Sequence, residues 1–339
     1  MTEGILSGRE IVLGVSGGIA AYKSVYLLRL MVKAGAQVRV MMTSNATHFV
    51  GPVTFEAICD RPVCTDLYDR RDPEAAMRHI EWARESQAVV AAPATANLLG
   101  KFAHGIADDA LSTFLTVVTC PVLLCPAMNS DMYLSPPVQR NLEVLRADGH
   151  DILAPGEGEL ACGVSGTGRL PEPEQILDRL EGALTRKDLG GRRVLVTAGP
   201  TREFLDPVRF LSNPSSGRMG FAVARAAEHR GAEVTLVSGP VSLPDPPGME
   251  VVRVTSALEM AEAVLDRMAD AEIIIKTAAV SDYRPREFAE HKIKKGATEE
   301  TLILEENPDI LREIGGRKGG RFLVGFAAET RDLRENAAQ

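Results

Sequence analysis

The sequence predicts an α/β fold: two domains in tandem, each built on a mainly parallel, doubly wound sheet. Three observations lead there. Short apolar runs of strand length alternate with longer runs whose apolar residues recur at helical spacing. Glycine-bearing loops fall where a strand gives way to a helix. The rhythm of strand, glycine loop, helix, Gly-Ala and strand then restarts after residue 192, without a residue-level repeat. The 339 residues also exceed the roughly 100–200 of an ordinary domain.

Residues 11–15 form an apolar run long enough for a buried strand and too short for a helix. Ser16-Gly17-Gly18 follows, then a helix with Ala21, Val25, Leu28 and Val32 on its apolar face. Gly35 stops that helix, and residues 38–42 read as the second strand. Residues 88–93 and 121–126 are further buried strands, each expected to end at its proline. The chain turns polar and glycine-containing at residues 185–192, which places a domain over 1–186, a linker over 187–191 and a second domain over 192–339. In the second domain, strands are expected at 194–197, 234–237, 273–275 and 322–324, with a Gly199-Pro200 turn and a helix over 221–230. Ligands of such sheets bind beyond the carboxyl ends of the strands, where the glycine loop lies.

Composition narrows the function. Hydrophobic residues make up 45% and charged residues 25%, which excludes disorder. A formal net charge of −8 argues against a nucleic-acid partner. There is no apolar run of the roughly 18 residues that a membrane span needs, and no basic-then-apolar leader, so a cytoplasmic protein is expected. The five cysteines, at 59, 64, 120, 125 and 162, include no Cys-x-x-Cys pair, and no nearby histidine pairs suggest zinc. Cys59, Cys64, Cys120 and Cys125 read as small buried or half-buried residues. His48, His104, His150, His229 and His291 read as structural or solvated.

Ser16-Gly17-Gly18 opens a helix directly after a strand, where glycine amides and the helix dipole suit an anion. It is not Gly-x-Gly-x-x-Gly, which argues against an ordinary dehydrogenase. Around it stand Gly17-Gly18-Ile19-Ala20-Ala21-Tyr22-Lys23, His79-Ile80-Glu81-Trp82, Pro93-Ala94-Thr95-Ala96-Asn97 and Gly105-Ile106-Ala107-Asp108-Asp109. Then come Pro126-Ala127-Met128-Asn129-Ser130-Asp131-Met132 and the run from Ala161-Cys162-Gly163 to Gly168-Arg169-Leu170. In this order the set resembles the flavin-dependent cysteine decarboxylases, specifically the phosphopantothenoylcysteine decarboxylases of coenzyme A biosynthesis, across nearly all of residues 8–180.

The resemblance implies a Rossmann-like, flavodoxin-like domain that binds FMN through Gly17, Gly18, Ile19, Ala20, Thr43, Ala94, Thr95, Ala96 and Asn97. In that family the flavin oxidises the substrate's thiol, the carboxylate then leaves as carbon dioxide, and the resulting enethiol is reduced again. By resemblance His79 is an acid/base, Asn129 holds the carboxylate, Cys162 protonates the enethiolate, and residues 163–168 form a flexible lid. Read from the residues alone, His79 could equally be structural, Asn129 a helix cap and Cys162 an inert turn residue.

The second half carries Ala198-Gly199-Pro200-Thr201-Arg202-Glu203, Asp206-Pro207-Val208-Arg209-Phe210 and Ser212-Asn213-Pro214-Ser215-Ser216-Gly217. Later come Ala278-Ala279-Val280-Ser281-Asp282-Tyr283, Lys292-Ile293-Lys294-Lys295, Asn307-Pro308-Asp309-Ile310 and Gly325-Phe326-Ala327-Ala328-Glu329-Thr330. This series resembles phosphopantothenate–cysteine ligase, which bacteria fuse behind the decarboxylase. The resemblance implies a second Rossmann-like domain using CTP with Mg2+, the metal ligands being unassigned, and an acyl-cytidylate intermediate. It assigns Lys292 to the first step and Asn213 to conversion of the intermediate. It places Lys276, Thr277, Ala278, Asp282, Lys292, Asn307, Pro308, Asp309, Ile310 and Phe326 at the nucleotide, and Ser212, Ser215 and Ser216 at the substrate phosphate. Lys276, directly after an apolar strand, is unexpected there.

The family continues beyond the point matching Gln339, so the ligase domain is expected to be C-terminally incomplete. The substrates expected are 4′-phosphopantothenate, cysteine, CTP and 4′-phosphopantothenoylcysteine. The resemblance further implies a homo-oligomer, trimer-based with dimerising ligase domains. Two alternatives stand beside the bifunctional enzyme: a decarboxylase with an inactive ligase domain, and a non-catalytic flavin-binding regulatory protein. A binding module, however, needs none of His79, Asn129 and Cys162.

Overall fold

The computed structural model describes residues 4–69, 75–161, 163, 165–294 and 301–327. The chain divides into two compact units, Met1–Thr185 and Arg186–Gln339. The first runs β1 (Glu10–Val15), α1 (Ala21–Lys33), β2 (Gln37–Met42), α2 (Pro52–Cys59), α3 (Arg78–Glu85), β3 (Ala88–Ala94), α4 (Ala96–Ala103) and α5 (Ala110–Leu115). It continues with β4 (Val122–Pro126), α6 (Ser130–Leu134), α7 (Pro136–Ala147), β5 (Asp151–Ile152), β6 (Gly156–Glu159), β7 (Ser165–Arg169) and α8 (Pro173–Leu184). The sheet order is β2-β1-β3-β4-β5, and every pairing is parallel.

Alternation along β1 divides the core in two. Leu13, in register with Val40 and Val90, packs with α1 and α8 side chains such as Leu28 and Leu180. Val12 points the other way, among Leu98, Leu111 and Leu142 of α4, α5 and α7. A sheet covered on both faces in this way needs continuous apolar strands, which explains why these runs are legible as strands. The strand order reverses between β1 and β3, and loops leaving those two strands diverge to open a crevice.

The second unit runs β8 (Arg193–Ala198), β9 (Arg202–Phe204), β10 (Phe210–Ser212), α9 (Arg218–His229), β11 (Glu233–Ser238) and β12 (Glu250–Arg253). It ends with α10 (Ala257–Arg267), β13 (Ile273–Lys276), β14 (Tyr283–Pro285), β15 (Leu304–Glu306), α11 (Ile310–Arg317) and β16 (Phe322–Gly325). Its sheet, β12-β11-β8-β13-β16, is again wholly parallel. Two antiparallel pairs, β9 with β10 and β14 with β15, are inserted after β8 and β13.

Pro93 does not end its strand. The register of β3 against β4 shifts between Ala91 and Ala94, and Ala94 regains pairing with Pro126. A proline without a ladder donor is accommodated at such an irregularity. The helix read as 221–230 begins earlier, at Arg218, because Gly217 takes a positive φ of 75° and turns the chain into it. Cys64 and Cys125 are buried and Cys59 and Cys120 half-buried, as expected; burial pushes the Cys125 thiol up. Among the described residues no helix is long and apolar enough to cross a membrane.

Leu13 is fully buried between sheet and helices. Leu13→Ala is expected to destabilise the first unit by about 2–5 kcal/mol, measured by denaturant unfolding followed by circular dichroism.

Candidate active sites

In the first unit a cleft of about 790 Å³ opens at the carboxyl ends of β1, β3 and β4. Ser16, the residue after β1, is only 1% exposed. Its hydroxyl donates to the Pro93 carbonyl at 2.7 Å and accepts from the Thr95 amide at 2.9 Å. That joins the loops leaving β1 and β3. Gly17 is obligatory, since a Cβ there would stand 2.4 Å from the Cβ of Asn45. Gly18 has no such constraint, its Cβ meeting only Thr95 Cγ2 at 3.5 Å.

Helix α1 starts at Ala21 with no side-chain cap and no acidic residue in its first turn. Its amino end therefore presents backbone donors and a positive dipole end to the cleft. Thr43 caps the 3-10 turn Ser44–His48 by accepting from the Ala46 amide, and Thr95 caps α4 by accepting from the Leu98 amide. Gly17, Gly18, Ile19, Ala20, Thr43, Thr95, Ala96 and Asn97 all line the cleft. Ala94 does not line it. It lies wholly buried in β3, with its carbonyl accepting from the Ala127 amide at 3.2 Å.

Asn129 also lines the cleft and caps α6, its Oδ1 accepting from the Asp131 amide at 2.8 Å. The cap leaves Asn129 at the cleft wall, since it commits only Oδ1 to the Asp131 amide. Residues 165–168, expected in a flexible lid, belong to β7 of a ribbon paired with β6. Gly168 accepts from the Met128 amide at 3.0 Å. A Cβ on Gly168 would stand 2.1 Å from the Met128 oxygen, so the ribbon approaches the Asn129 loop backbone to backbone.

His79 is likewise not brought to the cleft. It is half-buried on α3, and its Nδ1 is buried without a hydrogen-bond partner. Cys162 lies outside the described residues. Conversely, the cleft contains charges that carried no expectation. Lys101 Nζ meets Asp108 at 2.6 Å and Asp109 at 2.8 Å. Burial alone would lower the Lys101 ammonium, yet these carboxylates outweigh it and hold its pKa above the ordinary value. The Gly-Ile-Ala-Asp-Asp motif is a visible signal, but its partner Lys101 is not apparent without the fold.

In the second unit a smaller cavity, about 300 Å³, gathers Lys276, Asp282, Asn307, Pro308, Asp309 and Ile310. Lys276 ends β13. Burial pushes its ammonium pKa down, and Asp309 and Asp282 act in the opposite direction. Asn307 is pinned, its Nδ2 donating to the Ser281 carbonyl and its Oδ1 accepting from Arg284. Asp309 caps α11 through the Arg312 amide. The Phe326 amide donates to the Lys276 carbonyl at 3.2 Å; its side chain is exposed and is not among the cavity's lining residues.

Thr277 and Ala278 lie at the β8–β13 seam, bonded to the Thr197 carbonyl and hydroxyl, and are not among the cavity's lining residues. Asn213 Nδ2 donates to the Ala279 and Val280 carbonyls at 3.2 Å each. Ser212 donates to the Thr201 carbonyl, Ser215 accepts from the Gly217 amide, and Ser216 is exposed. Lys292 is exposed on a strap without regular structure and does not line the cavity.

Gly17→Val is expected to weaken flavin mononucleotide binding at least about tenfold, about 1.4 kcal/mol. The measurement is titration of the flavin-free protein, with circular dichroism as a check on folding.

A family model described as "Flavoprotein" matches residues 2–185. Another, described as "DNA/pantothenate metabolism flavoprotein C-terminal domain", matches residues 189–339. The chain is 48% identical over 337 residues to the coenzyme A biosynthesis bifunctional protein CoaBC of Bacillus subtilis (strain 168), covering 98% of this chain and 83% of that protein. It is 48% identical over 339 residues to the CoaBC protein of Escherichia coli (strain K12), again covering 98% and 83%. A solved structure of the C-terminal domain of a CoaBC protein is 47% identical, covers 45% of this chain and 72% of that chain, and has a TM-score of 0.40. With both halves matched in the same order over nearly its whole length, the chain belongs to the CoaBC family of bifunctional coenzyme A biosynthesis proteins.

Proposed function

We propose that the two units catalyse consecutive steps of coenzyme A biosynthesis. The second unit joins 4′-phosphopantothenate to cysteine at the expense of CTP, and the first decarboxylates the product to 4′-phosphopantetheine. The observation that carries this reading is the first unit's cleft, which gathers an uncapped helix terminus, a glycine loop and Asn129 at the switch point of a parallel sheet.

The cleft fits FMN. The amides of Gly17 to Ala20 and the start of α1 suit its phosphate, and Gly17 leaves backbone exposed where any side chain would collide with Asn45. Ile19, Met128 and Leu170 supply apolar surface for a ring system. When bound, FMN supplies two-electron chemistry at the substrate's thiol. The chain's own residues do the rest. Asn129 commits its carbonyl oxygen to the α6 cap, so a hydrogen bond to the substrate carboxylate comes from its amide NH2. Cys162 delivers the proton to the enethiolate carbon after carbon dioxide has left. His79 acts as acid/base in the cleft of a neighbouring subunit. Its absence from its own chain's cleft supports that assignment, which belongs with a trimer-based assembly.

In the ligase half the carboxylate of 4′-phosphopantothenate attacks the α-phosphorus of CTP and releases pyrophosphate. The amine of cysteine then displaces CMP from the acyl-cytidylate. Lys292 supplies positive charge to the first step, and Lys276 meets the phosphates from the end of β13. Among the described residues no cluster of three His, Cys, Asp or Glu side chains could hold a metal alone. Asp282 and Asp309 line the cavity and would hold a magnesium ion entering with the triphosphate, which would offset the charge of its phosphates. Asn213, Ser212, Ser215 and Ser216 face the acyl-cytidylate and the pantothenate phosphate. Dimerisation of ligase units and a cytoplasmic location complete the proposal.

Purified protein is expected to be yellow and to release carbon dioxide from 4′-phosphopantothenoylcysteine; colourless protein that stays inactive with added FMN would sink this reading. Cys162→Ser should still bind flavin and, on addition of substrate without air, leave it reduced and bleached beside decarboxylated but still oxidised substrate, detected by mass spectrometry. Lys276→Met should raise KM for CTP about tenfold, an effect of about 1.4 kcal/mol. In Asn213→Ala, pyrophosphate release should outpace amide formation, and equal rates would misplace Asn213.

A further inference from the structure

Asp206 has no solvent exposure, yet it lies in the loop between β9 and β10 and none of the steps above employs it. Its Oδ1 accepts from the amides of Val208 and Arg209, at 2.9 Å each. Its Oδ2 accepts from Arg209 Nε at 2.9 Å and Nη2 at 2.6 Å. The same oxygen accepts from the Ile293 amide at 3.1 Å. Arg209 Nη2 also donates to the Ile293 carbonyl at 3.1 Å, so the pair engages both polar groups of that one peptide residue. The Ala289 amide adds a second tie, to the Leu205 carbonyl at 2.9 Å.

A carboxylate out of contact with water persists only when its lone pairs are satisfied. Here the Arg209 guanidinium, then the three amides, hold its carboxyl far below the ordinary range against the opposing effect of burial. It is thus ionised at any neutral assay pH, and the tie is intact there. Residues 286–294 contain no helix or strand. Their course is therefore set by tertiary ties of this kind rather than by backbone ladders. Ile293 directly follows Lys292, and Asp206 directly precedes the segment that carries Ser212 and Asn213.

We propose that Asp206 is a positioning residue of the ligase: with Arg209 it ties the Lys292 strap to the loop leading into Asn213, so that the lysine and the asparagine are presented as one constellation. The proposal rests on the assignment of Lys292 to acyl-cytidylate formation, and its test separates the two. A lysine on an untethered strap spends most of its time out of place, and misplacement on the scale of an ångström costs about 100-fold in rate.

Asp206→Asn, Lys292→Gln and the double variant are compared in the intact protein by pyrophosphate release from CTP and 4′-phosphopantothenate. Asp206→Asn is expected to lower kcat about 10–100-fold and leave KM for CTP within about threefold, since no nucleotide contact is removed. On the Lys292→Gln background it should change the rate by less than about twofold. An undiminished effect on that background would show that Asp206 does not act through the lysine. If Lys292→Gln leaves pyrophosphate release unchanged, the assignment of Lys292 fails instead. The tie is then judged by native-state tryptic cleavage after Lys292 and Lys294, which Asp206→Asn should accelerate at least about tenfold and which an unchanged rate would overturn. Should Asp206→Asn not fold, Asp206→Glu, which keeps the charge but lengthens the arm, is read by the same two assays with the same expectations.

Discussion

A single buried hydroxyl organises the first unit's cleft. The strands β1 and β3 lie side by side at the point where the strand order reverses, and their following loops go to opposite faces. Left to themselves, two diverging loops would not hold a common ligand. Ser16 joins them by donating to the Pro93 carbonyl and accepting from the Thr95 amide, with the Thr95 hydroxyl 3.1 Å away. The glycine loop, the Thr95 cap of α4 and the uncapped start of α1 are thereby set around one space. Since the groups involved are buried and mutually satisfied, loosening one leaves polar atoms unpaired in the interior.

The second unit meets the same constraint with different chemistry. Thr197 at the end of β8 accepts the Thr277 hydroxyl at its carbonyl and the Ala278 amide at its own hydroxyl. Thr201 in turn accepts the Ser281 amide and, at its carbonyl, the Ser212 hydroxyl. This seam carries the chain from β13 into the cavity of Asp282, Asn307 and Asp309, with Lys276 half-buried beneath it. A cation desolvated beside two carboxylates can exchange them for an incoming anion at little further desolvation cost. The Asp206–Arg209 pair extends the same logic to a strap that has no backbone ladder of its own.

Much of this is legible in the sequence, for identifiable reasons. Strands covered on both faces must be apolar throughout, and that continuity marks β1 to β4 and four of the second sheet's strands in the residue pattern alone. The β9–β10 and β14–β15 pairs are not legible. They have three residues per strand, and half-exposed segments so short leave no periodicity to read. Pro93 misleads because a lost ladder donor normally ends a strand, whereas here the register shift absorbs it. Resemblance proposes members for both sites, but not that Ala94 is interior or that Asn129 both caps α6 and lines the cleft. Nor does it indicate that His79 stands away from its own chain's cleft.

What the sequence determined by itself was the class of fold, the order of the two units and the inventory of reactive groups. Those properties are local, carried by apolar periodicity, by glycine and by motifs of a few neighbouring residues. Tertiary structure decided which groups share a space. Lys101 finds Asp108 and Asp109, Lys276 finds Asp282 and Asp309, and Asp206 finds the peptide of Ile293, 87 residues further along the chain. A charge buried far from its partner in sequence has a meaning only once the sheet has folded. Its stability and its pKa depend on the burial and the partner together, and neither is a property of the residue alone.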